Sequence, residues 1–110
     1  MGNPVRQVIT ATGNGTPVSL DWVATPFTVN LQVVLPSGAT ATYTVQETND
    51  DLNDPTITPI WQNDGVLNGL TVTGQNTLTA PVRWVRCNAS ALGGSPAQII
   101  LYVTQGMSAR

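Results

Sequence analysis

The sequence predicts an all-β fold: a single-domain antiparallel β-sandwich of about seven or eight short strands, jelly-roll or immunoglobulin-like in order. Three observations carry this. From Phe27 to Thr48 apolar residues alternate with polar ones, the period of two that sends successive side chains to opposite faces of a strand. Clusters of Gly, Pro, Asn, Asp and Ser interrupt the chain at short intervals, as turns do. Sixteen threonines and many valines suit strands, and no stretch has the spacing of an amphipathic helix of useful length.

Taken in order, Val5 to Ala11 reads as a first strand, ended by the turn Thr12-Gly13-Asn14-Gly15-Thr16-Pro17. The glycines of that turn do not suggest a phosphate cradle, because the Lys-Ser/Thr ending of a P-loop is missing and no helix pattern follows. Pro17 to Trp22 is a short second strand, and Ala24-Thr25-Pro26 leads onward. Phe27, Val29, Leu31, Val33 and Leu35 then alternate with Thr28, Asn30, Gln32 and Val34. After Pro36-Ser37-Gly38, Ala41, Tyr43 and Val45 alternate with Thr42, Thr44 and Gln46. Two such runs joined by a short Pro/Gly segment read as an antiparallel hairpin with one dry and one wet face, onto which the rest of the chain is layered. Asn49 to Pro55 is a loop. Ile57 to Gln62 is an irregular strand interrupted by Pro59, Asn63-Asp64-Gly65 a turn, Leu67 to Thr73 a strand, and Gly74-Gln75-Asn76 a further turn. Leu78 to Ala80 leads to Pro81. Val82 to Ala89 is a strand with Val85, Cys87 and Ala89 on one face, and Leu92 to Pro96 turns. Ala97 to Gln105 closes the fold, with Ala97, Ile99, Leu101 and Val103 inward and Gln98, Ile100, Tyr102 and Thr104 outward. Residues 1–110 make one domain without internal repeat or linker.

A chain of this length buries roughly two-thirds of its unfolded surface, enough for one core. Charged residues are 9% of the total, against about 25% in an ordinary soluble domain. There is no lysine and no histidine, and the cationic side chains are Arg6, Arg83, Arg86 and Arg110. Thr, Asn, Gln and Ser therefore cover most of the surface. A net charge of −2 gives weak self-repulsion, which suits a protein packed against copies of itself or a scaffold. Scattered arginines do not make a phosphate-binding face, so nucleic acid is not an expected partner. No run approaches the length of a membrane span and no N-terminal stretch resembles a signal peptide; the expectation is no membrane and synthesis in a cytoplasm. Met1-Gly2 is followed by Arg6 where a myristoylation signal prefers Ser or Thr. Asn14-Gly15-Thr16 and Asn88-Ala89-Ser90 match the glycosylation triplet and, without a secretion signal, read as chance matches. Cys87 is the only cysteine; it has no intrachain partner and reads as a buried, inert thiol.

Candidate chemistry is sparse. Without histidine the usual base of a Ser or Cys triad is missing, and no catalytic residue is assigned. Glu47, Asp50, Asp51 and Asp54 form an acidic cluster whose spacing fits no EF-hand. Turn capping by the Asp and Asn side chains is the expected role, with a metal as the alternative and paired carboxylates for glycoside hydrolysis as a remote one. No cofactor is expected. Trp22, Trp61 and Trp84 are the other residues of note: exposed rings can stack on sugars, buried rings fill a core or an interface. If Val85 and Cys87 point inward, Trp84 points outward and becomes an interface anchor. Arg83 and Arg86 flank it, ready to pair with a neighbouring subunit's carboxylates or simply to solvate their strand.

The chain resembles a group of small proteins encoded in tailed-bacteriophage genomes. The resemblance is carried by Pro17-Val18-Ser19-Leu20-Asp21, Pro26-Phe27-Thr28-Val29, and Ala41-Thr42-Tyr43-Thr44-Val45-Gln46 with Asn49-Asp50-Asp51. It continues through Trp61, Ala80-Pro81-Val82, Val85-Arg86-Cys87-Asn88 and the closing strand Ala97 to Gly106, so that it spans most of the chain in order and pattern. Cys87 stands where Leu or Val is expected, Trp84 where a small residue is usual, and Met107-Ser108-Ala109-Arg110 is an added tail. The resemblance implies a non-enzymatic structural protein of the virion, a capsid decoration (cement) protein. It would be a homo-oligomer whose partners are the major capsid protein and copies of itself. A head–tail adaptor or a tail or fibre component is the alternative within that class, and a carbohydrate-binding module the alternative outside it.

Overall fold

The computed structural model describes residues 5–23 and 27–105. The expected lead-in Ala24-Thr25-Pro26, the Met1-Gly2 start and the tail Met107–Arg110 lie outside the described residues. The chain is a two-layer, all-β sandwich. Its strands are β1 (Val5–Ile9), β2 (Gly13–Asn14), β3 (Val18–Ser19), β4 (Val29–Val34), β5 (Ala39–Thr48), β6 (Gln62–Asn63), β7 (Gly74–Leu78), β8 (Trp84–Gly94) and β9 (Ile99–Gln105). One sheet has the order β1-β9-β4-β7. The other has the order β2-β8-β5-β6, with β3 also paired to β8. Every pairing is antiparallel. The strand count slightly exceeds the expectation because one edge strand is split into the two-residue pieces β2 and β3.

The order is nested. The first strand pairs with the last, β2 and β3 with β8, β4 with β7, and β5 with β6; β9–β4 and β8–β5 then complete the two sheets. One long antiparallel ribbon, 5–48 against 62–105, rolled over on itself gives this order. That is the jelly roll. The immunoglobulin order, in which the first strand neighbours the second and the last neighbours the one before it, does not fit.

Alternation along each strand decides what is buried. Val29, Leu31 and Val33 of β4 and Ile99, Leu101 and Val103 of β9 face Ala41, Tyr43 and Val45 of β5 and Val85, Cys87 and Ala89 of β8 across the interior. Tyr43 is wholly buried, and its hydroxyl donates to the Val72 carbonyl at 2.7 Å, so its polar tip is satisfied. Cys87 is buried as expected, and desolvation pushes its thiol up to about 12.

The central hairpin is corrected. β4 and β5 both show the expected alternation, yet they never pair: β4 bonds to β7 and β9, β5 to β6 and β8. Pro36-Ser37-Gly38 does turn, closed by Ala39 N–H on the Pro36 carbonyl at 2.9 Å, but it carries the chain from one sheet to the other. Gly38 (φ +91°) packs against Ser95, and Gly94 (φ +87°) packs against Gly38; a Cβ at either would collide with backbone. A hairpin and a crossover bury the same alternate residues, so periodicity alone does not separate them.

Five further expectations change. Ile57 to Gln62 is not an irregular strand; only Gln62 pairs, together with Asn63, which was expected in the turn, as β6. Leu67 to Thr73 is not a strand; its one bridge is Leu70 to Tyr43. Gly74-Gln75-Asn76 is not a turn but the start of β7. Gly74 is there for close approach: a Cβ would lie 2.8 Å from Leu67, Leu70 and the Tyr43 hydroxyl. β8 runs on to Gly94 because a bulge, with Ser90 as the extra residue, shifts its phase and puts Leu92 opposite Ala41. In the last strand Ala97 is exposed, ahead of Ile99 where β9 begins. Ile100, on the outer face, is nonetheless buried between Val8 and Val34.

Candidate functional site

Residues opposite one another in an antiparallel pair share a face, so the register defines the outer surface of the second sheet. With Val85 and Cys87 wholly buried, Trp84, Arg86 and Asn88 of β8 point outward. Three cross-strand rows result. Ser19, Trp84 and Thr48 form the first. Arg86, Gln46 and Asn63 form the second: Arg86 Nε donates to Gln46 Oε1 at 2.9 Å, and Gln46 Nε2 donates to Asn63 Oδ1 at 3.0 Å. Asn14, Asn88 and Thr44 form the third, with Asn88 Nδ2 donating to Asn14 Oδ1 at 2.6 Å. The two glycosylation-like asparagines thus bind each other.

Trp84 lies on this face, Trp61 is stacked on its Arg86, and Trp22 is stacked on Arg83, which precedes β8. The Arg86 guanidinium lies 4.1 Å from the centroid of the Trp61 ring, and the Arg83 guanidinium 4.7 Å from that of Trp22. Each is a cation–π contact. Burial lowers the Arg86 pKa from its ordinary value without discharging it. Arg83 is held by its backbone between the end of β5, through its N–H on the Thr48 carbonyl at 3.1 Å, and Leu20, whose N–H it accepts at 2.9 Å. Trp84 points outward, as its buried neighbours Val85 and Cys87 require; Arg86 shares its face and stacks on Trp61, while Arg83, ahead of β8, carries its guanidinium over Trp22. Sequence reasoning missed the two stacks because their partners lie far apart in the chain. Beside this face, Trp22, Val23, Ile57 and Ile60 stay exposed on the loops that lead out of β3 and β5, Val23 at 65% and Ile60 at 72%.

The acidic loop works as turn caps. Asp50 Oδ2 accepts from Ile60 N–H at 2.7 Å and from the Thr48 hydroxyl at 3.3 Å; Asp51 accepts from Asn53 N–H at 2.9 Å. Asp54 accepts from the N–H and hydroxyl of Thr56, and these bonds hold its pKa below the usual carboxylate value.

Glu47 is different, and so is Asp64, which the sequence placed in an ordinary Asp-Gly turn. Asp64 is 2% exposed. Its carboxylate accepts from Val66 N–H and Leu67 N–H, both at 2.8 Å, and from the Asn76 amide at 3.0 Å to each oxygen. Desolvation would raise its pKa, but the hydrogen bonds from Glu47, Leu67, Val66 and Asn76 outweigh it and hold the group below the usual carboxylate value. Desolvation first, then the hydrogen bond to Asp64 and its charge, push Glu47 up to about 8. Glu47 is therefore the protonated member of the pair.

Compared with known proteins, the chain matches no family model, no curated protein and no solved structure.

Proposed function

We propose that this is a non-enzymatic structural protein of a tailed-phage virion, a capsid decoration protein that binds the major capsid protein and copies of itself across subunit boundaries. The observation that carries the reading is the outer face of the second sheet. A chain with only 9% charged residues carries Trp84 and Arg86 there, stacks Trp61 on that Arg86, and adds the Arg83–Trp22 stack where the chain enters β8. Trp and Arg are the residues that dominate protein contacts, and a rim of Asn, Gln and Thr completes such a patch. The nested strand order is one that viral capsid domains use, which agrees with the reading but does not carry it, since folds host many functions. The test is to add purified protein to capsid shells lacking it. Binding with a raised shell melting temperature is expected, at a copy number matching the capsomers. A copy number matching the tail axis moves the protein to a head–tail or tail position, and failure to bind shells or tails removes the reading.

A second reading rests on the amide rows Asn14–Asn88 and Gln46–Asn63 beside Trp84. Planar amides next to an aromatic face suit sugar hydroxyls and a sugar ring, as in a carbohydrate-binding module. Glycan-array binding lost on Trp84→Ala would favour it over the capsid.

A further inference from the structure

We propose that the Arg86–Gln46–Asn63 row of the outer face is held in register by one proton shared between Glu47 and Asp64, directly beneath it. The inference concerns the face itself and stands whatever docks there.

Glu47 Oε2 is shut off from solvent, and no N–H or hydroxyl of the described residues reaches it. Its neighbour is the Asp64 carboxylate. Two carboxylates bind each other only through a proton, and Asp64 is already an acceptor on both oxygens, so the proton belongs on Glu47 and is donated to Asp64. Glu47 sits on β5, Asp64 follows β6, and Asn76 sits on β7 of the other sheet. The shared proton thus ties β5 to the turn that joins the layers. β6 is only two residues long, pairing Gln46 with Asn63 and Glu47 with Gln62. Gln46 and Asn63 are the chain neighbours of Glu47 and Asp64, and they support Arg86 and through it Trp61.

Among the described residues, no cation compensates the pair from the elements packed on Glu47. β8 offers Val85 opposite it, while Arg86 lies on the other face of the sheet. Arg83 follows Val82 but carries its guanidinium over Trp22. β6 offers Gln62 and β7 offers Asn76. The loop after β5 brings a further acid, Asp50, engaged with Ile60 and Thr48. Tyr43 and Cys87, on the inner face, are neutral. A cavity of about 240 Å³ lined by Asn49, Asp50, Ile60, Gln62 and Val82 reaches Glu47. Through it the proton exchanges with solvent. When the proton leaves, two adjacent negative charges repel. Asp64 is anchored by its donors and by its own N–H on the Val45 carbonyl at 2.8 Å, so the part that gives is the free end of the β5–β6 ladder, from Gln46–Asn63 to Glu47–Gln62.

The experiment is a carboxyl-carbon NMR titration of the whole chain, with the Asn63 amide and Trp61 indole signals followed together. Glu47 is expected to titrate near pH 8, with both outer-face signals shifting at the same midpoint. Glu47→Gln, whose amide donates to Asp64 at every pH, is expected to hold those signals constant from about pH 6 to about pH 9. A Glu47 titration in the ordinary range near 4.5, or one near 8 that leaves Asn63 and Trp61 unmoved, overturns the proposal. The wild-type titration decides the matter even if the variant fails to fold.

Discussion

The centre of the sandwich and its β6–β7 flank join the same two layers by opposite means. At the centre, β4 and β9 meet β5 and β8 through side chains that are apolar apart from Tyr43, whose hydroxyl is satisfied. At the flank, the layers meet through Asp64, Asn76 and the protonated Glu47. Apolar contact is non-directional and indifferent to pH. The flank depends on a complete count of donors and acceptors, and an unpaired member there is costly. The centre should therefore yield only to lost volume, the flank to a lost proton or a lost acceptor.

The largest effect is expected at the centre. Leu101→Ala leaves a cavity between β9 and the facing sheet and should destabilise by ~2–5 kcal/mol, by the same amount at pH 5 and pH 8, read from urea unfolding. A pH-dependent loss would mean that the core leans on the flank. Asp64→Ala comes next. It strands two backbone N–H groups, the Asn76 amide and the Glu47 acid, for a loss of ~2–3 kcal/mol at neutral pH. The Asp64 pKa is lower folded than unfolded, so its contribution is present above its ordinary value of 3.8 and disappears as pH falls through the lower folded value. The variant should approach wild type in strong acid; a gap that stays constant down to that range would assign the loss to packing.

These two regions also differ in how far the sequence revealed them. Leu31, Tyr43, Val45, Val85, Cys87 and Leu101 were all placed inward by alternation, since a period of two is a direct image of a half-buried strand. Pairing was not legible. Phe27–Leu35 and Ala41–Gln46 looked like a hairpin because a short Pro/Gly link serves a crossover equally well. Gly74 looked like a turn because nothing in a sequence shows Leu67, Leu70 and Tyr43 converging on one Cα. Of the candidate site, Trp84 could be oriented from its neighbours Val85 and Cys87. The Arg86–Trp61 stack, the Arg83–Trp22 stack and the Glu47–Asp64 pair are contacts between distant positions, and residue type alone carries no signal for them.

A smaller effect, with the opposite sign, is expected from Glu47→Gln. Between the unfolded pKa near 4.5 and the folded value of about 8, the folded wild-type chain holds a proton that the unfolded chain does not. Wild-type stability should therefore decline as pH rises through that window and level off above it. Glu47→Gln removes that slope. Near pH 8 it should exceed wild type by on the order of 1 kcal/mol, the full shift being discounted for the partial exposure of Glu47. Parallel pH–stability curves for the two proteins would show that the flank does not depend on the proton.

The smallest change in stability is expected on the outer face, and it separates the groups that hold the sandwich from the groups it displays. Arg86→Ala removes a cation–π contact with Trp61 and one hydrogen bond to Gln46, together ~1 kcal/mol or less at a half-buried site. Arg86→Lys keeps the charge but not the planar stack, and should fall between alanine and wild type. If the face is a docking surface, the same variants should lower capsid-shell binding by a factor far larger than their effect on folding, because a stacked Arg–Trp pair at the middle of an interface contributes most when partner contact removes its water. The measurement is shell binding set against urea midpoint for each variant. Loss of stability as large as that of Asp64→Ala, with binding falling only in proportion, would make the Arg86 row part of the scaffold. The distinction between the flank that holds the layers and the face that meets a partner would then collapse into one structural unit.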